Sequence, residues 1–229
     1  MSSKSLAANI QADLSRLYDV FIDAEIVLSS NEIVMHQYGG DKFLVAWSSK
    51  PTLGYLLRSC PGFVNTSPIC HYIQVLKNND FSLMLADGSL IQVAYKVEND
   101  AIQWHRLCYF PCPIIFSDED IQEYTVLDLF EVFSDQELHD RTQMVTYFRF
   151  DFDRSFSDHR HAHSHFTFGN SECRIPVFGP ISIANFFDFI VDHFLQGKYS
   201  INRSPQFGQR VYDRTITSGH SYSVYIQSQ

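Results

Sequence analysis

The chain has 229 residues, 45% of them hydrophobic and 19% charged, which suits one large folded domain and argues against a disordered chain. Its 20 Phe and 12 Tyr favour strands and a large aromatic core. The net charge of -9 excludes a uniformly basic nucleic-acid binder, but nine acids and no Lys or Arg fall between Phe116 and Asp140, so one segment carries the imbalance and a basic surface elsewhere stays open.

Leu6, Ile10, Leu14, Leu17, Tyr18 and Phe21 recur at helical spacing and predict an amphipathic helix from Ser5 to Asp23. "YGGDKFLVAW" reads as a turn and a strand. From Ile69 to Phe110 four alternating runs follow: "ICHYIQVLK", "DFSLMLA", "SLIQVAYKV" and "AIQWHRLCYF". Asn79-Asp80, Asp87-Gly88 and Asn99-Asp100 separate them as turn pairs, so the runs predict an antiparallel meander. Ser117 with Asp120 is close to a capping box and starts a predicted acidic helix from Asp118 to Phe133.

"VTYFRFDFD" alternates cleanly. Val145, Tyr147, Arg149 and Asp151 share one face, and Thr146, Phe148, Phe150 and Phe152 share the other, the one expected to be buried. "HSHFTFG" and "CRIPVFG" continue as short strands, with Pro176 placing the second at an edge. "SIANFFDFIVDHFL" reads as a helix with Ile183, Phe186, Phe187, Ile190, Val191 and Phe194 toward the core. Residues 196–217 read as a long irregular segment, and "SYSVYIQ" as a final strand. The expected fold is α+β, a single domain over residues 1–229. Its antiparallel meander sheet is packed by an N-terminal helix, a middle acidic helix and a Phe-rich C-terminal helix.

Cys60, Cys70, Cys108, Cys112 and Cys173 are odd in number and hold no C-x-x-C pair, so they read as buried thiols of a reducing compartment. "MSSKSLAANIQADLSRLYDVF" lacks the apolar run of a signal peptide, and no run approaches the roughly 20 residues of a membrane helix. The expectation is a cytoplasmic protein.

The segment "SFSDHRHAHSHFTFGN" sets His159, His161, His163 and His165 at every second position. On one strand, neighbours would stand about 6.6 Å apart and the outer two about 20 Å apart. Zinc holds its nitrogens at about 2.0–2.1 Å, so the four cannot share one ion. Two neighbours could, with Asp151 or Asp153 added. Acid–base work fits the spacing better. Phosphodiester cleavage needs one group to take a proton and another to give one, and imidazole suits both roles near neutral pH. Arg149 or Arg174 could then hold phosphate oxygens, with Tyr147 beside them on the same strand face as Arg149. A plain polar surface is the competing reading of the ladder. His193, Asp188 and Asp192 read as a solvated helix face. P-loop, G-x-G-x-x-G, G-x-S-x-G and H-E-x-x-H motifs are absent, which argues against the common nucleotide hydrolases, dinucleotide enzymes, serine hydrolases and zincins.

The stretch from Tyr147 to Leu195 resembles a bacterial family called domain of unknown function 2290. The residues that carry the likeness are Arg149 and Asp151 on a strand, then His161 with Ser164 and His165, then Arg174-Ile175-Pro176, then the Phe-rich helix from Ser182 to Leu195. The motif-bearing part lies within residues 141–196, and in this matching His159 and His163 are extra. The strand–histidine–helix order also looks like that of TumE-type toxins of toxin–antitoxin pairs, although this chain is much longer. That likeness implies an RNA-cleaving toxin or phage-defence component.

The sequence therefore leads to a cytoplasmic, RNA-directed nuclease without cofactor or metal. His161 and His165 form its acid–base pair, Asp151 orients a histidine or holds Arg149, and Arg149, Arg174 and Tyr147 contact substrate. The alternatives are a non-catalytic accessory or antitoxin-like protein, whose acidic helix would meet a basic partner encoded nearby, and a metal-dependent hydrolase. Oligomeric state is not legible in the sequence.

Overall fold

A computed structural model describes residues 2–48, 68–155, 162–169 and 173–202, with positions 207, 212 and 215. Helix α1 (Ser3–Asp23) leads into β1 (Val27–Ser30), β2 (Ile33–Gly39) and β3 (Lys42–Trp47). Helix α2 (Pro68–Lys77) precedes β4 (Leu83–Leu85), β5 (Leu90–Glu98) and β6 (Ala101–Phe110). Three short helices follow: α3 (Asp118–Glu123), α4 (Val126–Val132) and α5 (Asp135–Arg141). The chain then forms β7 (Phe148–Asp153), β8 (Ser164–Phe168), β9 (Arg174–Pro176) and α6 (Ile183–Ile190), which continues as a π-helical turn over Val191–Leu195. The fold is α+β, as the patterning predicts.

The described strands form one nine-stranded antiparallel sheet in the order β1-β4-β5-β6-β7-β8-β9, with β3 on the second half of β5 and β2 beyond it. Strands β5 to β9 are a meander. Asn99 and Asp100 at its first hairpin both have positive φ, the backbone of a type I′ turn that matches strand twist. Pro176 ends β9, the last strand in the order, as its missing N–H requires.

Both sheet faces are covered. Helical spacing places Ile10, Leu14, Leu17 and Phe21 of α1 on one face, with Phe148, Phe150, Phe152 and Phe166 of β7 and β8 and with Phe186, Phe187 and Ile190 of α6. This is the Phe-rich core that the alternation of β7 predicts. On the other face, Tyr72, Val75 and Leu76 of α2 and Val126 and Leu129 of α4 pack on Leu90, Cys108, Phe110 and Tyr147. A smaller cluster of Leu44, Ala46, Trp47, Ala94 and Trp104 lies farther along that second face.

Three expectations are corrected. "ICHYIQVLK" is helix, not strand: its buried His71, Tyr72, Val75 and Leu76 form a helical stripe. Asn79, at φ 52, closes a Schellman stop, with Asn79 N donating to Leu76 O and Asp80 N to Val75 O. A nine-residue apolar run fits both periods, and here contact with Phe110 and Tyr147 selects the helix. The expected helix from Asp118 to Phe133 is two helices, α3 and α4, because Thr125 opens a second capping box with Asp128 after that of Ser117 with Asp120, and Ser134 with Glu137 opens a further helix, α5, beyond it. Of the thiols, Cys108 and Cys112 are buried, whereas Cys70 and Cys173 are exposed. The expected final strand lies outside the described residues, as do Cys60 and most of the segment 196–217.

Candidate functional site

Strand register assembles a charged row on the second face. Arg106 on β6 lies opposite Asp151 on β7, and Asp151 lies opposite His165 on β8. One step along, Cys108, Arg149, Thr167 and Arg174 form the neighbouring row across β6 to β9. On β6, Arg106 falls between Trp104 of the small cluster and Cys108 and Phe110 of the larger one. The charged row is thus flanked along the strands by apolar packing.

Asp151 is the centre. Arg106 Nε donates to its Oδ1 at 2.9 Å, and Arg149 Nε stands 2.5 Å from Oδ2. His165 Nε2 is 3.7 Å from the same Oδ2, an ion pair when the ring is protonated. The other ring nitrogen, Nδ1, lies 3.2 Å from the carbonyl oxygen of Ala162. That oxygen only accepts, so Nδ1–H donates there and Nε2 is turned toward Asp151. Arg149 and Asp151 are each 7% exposed and His165 is 5% exposed, so these charges act in a medium where they count heavily.

Burial pushes the Asp151 carboxyl up, but Arg106, Arg149 and His165 together outweigh it and hold the group well below the usual carboxylate range. His71 on α2 stacks on Phe110 and Tyr147, with ring centroids 5.5 and 6.4 Å away. Burial, then the charge of Arg149, lowers its pKa to about 4, so it is neutral at pH 7. His105 points to the opposite, Phe-rich face. There Ile181 N donates to its Nε2 at 3.0 Å, and full burial lowers its pKa to about 3.

Of the residues singled out in the sequence, Arg149, Asp151 and His165 come together. Arg174 is exposed on edge strand β9, two strand spacings or roughly 10 Å from Arg149 along the same row. Tyr147 is buried in the second core against Phe110, at 5.3 Å between ring centroids. His161 and His159 lie outside the described residues. His163 is half-buried just before β8, its Nδ1 3.1 Å from the carbonyl oxygen of Asp153. Two members escaped the sequence reading, Arg106 and His71. Arg106 had one signal, a full charge on the strand face that also carries Trp104, Cys108 and Phe110. His71 had none while its segment read as a strand. Among the described residues no group of three or more His, Cys, Asp or Glu is arranged to hold a metal ion.

Arginine forks fit phosphate oxygens, and an imidazole held between a carbonyl and a carboxylate is oriented for proton transfer. Here both guanidiniums are engaged by the Asp151 carboxylate. A family model described as "Uncharacterized conserved protein (DUF2290)" matches residues 26–228, well beyond the motif-bearing stretch. No curated protein and no solved structure matches.

Proposed function

We propose that this chain, which belongs to the DUF2290 family, is an RNA-directed nuclease acting in phage defence or as the toxin of a toxin–antitoxin pair. The observation that supports it is the convergence of Arg106, Arg149 and His165 on Asp151 across three adjacent strands. In this reading His165 and His161 share the proton transfers, one taking the proton of the attacking 2′-hydroxyl and the other protonating the leaving 5′-oxygen. Asp151 orients His165 and holds Arg149. Arg149 and Arg106 meet the charge that develops on the phosphoryl oxygens, and exposed Arg174 contacts a flanking phosphate. The likeness to TumE-type toxins enters through the order of strand, histidine and helix alone. The reading places the protein in the cytoplasm, and no described helix is long and apolar enough to cross a membrane.

The test is RNA cleavage by purified, untagged protein, with and without chelator. Wild type cleaves, chelator changes nothing, and His165→Ala loses at least 100-fold in rate while its melting curve stays two-state. Full cleavage by His165→Ala would remove the assignment. Loss of cleavage with chelator would move the reading to the metal-dependent hydrolase.

A second reading, a non-catalytic accessory or antitoxin-like protein, is favoured by the burial of the Asp151 cluster and by the exposure of most acids on α3, α4 and α5. Wild-type protein that cleaves no RNA but pulls down one stable protein partner from its host would establish it in place of the first.

A further inference from the structure

At the β1 end of the sheet, away from the charged row, a groove of about 620 Å³ opens between β1, the end of α2 and the junction of α3 with α4. Its floor includes Leu76, Phe81 and Val126, all buried, together with Met84 of β4. Leu28 and Tyr124 stand exposed at its mouth, where their apolar surface meets water. The volume is that of a pocket for a few side chains.

The rim has one sign of charge. Glu123 and Asp128 line the groove and are exposed. They belong to the segment from Phe116 to Asp140 that holds nine acids and no Lys or Arg. Lys77 of α2, the nearby cation, pairs with Glu131 at 3.7 Å. A cleft with an apolar floor and an acidic rim repels nucleic acid and anionic lipid, and attracts a cation-rich ligand that also brings an apolar group.

We propose that this groove docks a basic peptide segment of a partner protein. One apolar side chain of the segment enters over Phe81 and Val126, and flanking Lys or Arg residues meet Glu123 and Asp128. The break between α3 and α4 serves this arrangement. The capping box of Thr125 with Asp128 turns the chain at the mouth, so Tyr124 projects there instead of continuing a helix. The proposal uses none of the residues of the Asp151 cluster and stands whether or not the chain cleaves RNA.

Methionine methyl groups supply the readout, because Met84 lines the groove while Met144 is fully exposed beyond α5. Full-length protein carrying carbon-13 methionine methyls is titrated with the peptide acetyl-Lys-Lys-Leu-Phe-Lys-Lys-amide, and with its Glu-for-Lys counterpart. The Met84 resonance shifts saturably with the basic peptide and not with the acidic one. The double variant Glu123→Lys/Tyr124→Ser binds at least tenfold more weakly with an unchanged melting temperature. No shift of Met84, a shift of Met144 alone, or equal binding by the double variant overturns the proposal. A dimer in sedimentation that the double variant abolishes also overturns it, because the occupant is then a second copy of this chain.

Discussion

Asp151 shows how much one side chain can decide. It is a buried carboxylate that answers two guanidiniums and an imidazole. Removing its charge strands Arg106 and Arg149 beside a neutral amide, and breaking a buried pair this way costs about 3–5 kcal/mol. Asp151→Asn is therefore expected to lower the urea midpoint strongly, with little change in the slope of the transition. A midpoint within error of wild type would mean that the cluster is not a stabilising network. The pH sense follows from the lowered pKa. The contribution of Asp151 is complete above its unfolded value, about 3.9, and is lost as pH falls below that toward the folded value.

Local chemistry was most legible at the ends of helices, and least so for a short apolar run. Ser117 and Asp120 mark a helix start in the sequence and form the full reciprocal box in the structure. Thr125 with Asp128 and Ser134 with Glu137 carry the same pattern in the sequence; the first divides the expected helix and the second opens α5 beyond it. Thr125→Ala removes the acceptor for Asp128 N, so α4 is expected to lose about 1 kcal/mol. Hydrogen exchange in Val126–Val132 is the direct measure, and unchanged protection would show that packing of Val126 and Leu129 alone holds the helix. For α2 the pattern was ambiguous. Ile69, His71, Ile73 and Val75 alternate as a strand does, while Tyr72, Leu76 and their neighbours fit a helix. Only the partners across the sheet face choose between the two.

Across the molecule, the fold keeps His71 of α2 and His105 of β6 neutral on opposite faces of one sheet, the first against Phe110 and the second among the phenylalanines. Both have lowered pKa values, so folding favours their uncharged forms. Their contribution is complete above about pH 6.5, the unfolded value, and falls as pH drops toward about 4 for His71 and about 3 for His105. Stability is expected to decline through that window, with proton uptake on unfolding approaching two per chain. Urea titrations between pH 7 and pH 4 check it, and His71→Asn should flatten the slope. A flat profile in wild type would mean that neither ring is kept neutral by the fold.

The sequence by itself determined the α+β class, the amphipathic first helix, the Phe face of β7 and the Phe-rich last helix. These depend on periodicity and capping, which act between residues a few positions apart. It also singled out Arg149, Asp151 and His165, whose side chains lie on the right phase of their strands. The tertiary structure alone decided that they meet, because strand register is set by pairing across the sheet and not by spacing along the chain. The same pairing brought in Arg106, 45 positions before Asp151, and the packing of α2 on that face brought in His71. Long-range contacts of this kind leave no local period for a sequence to display.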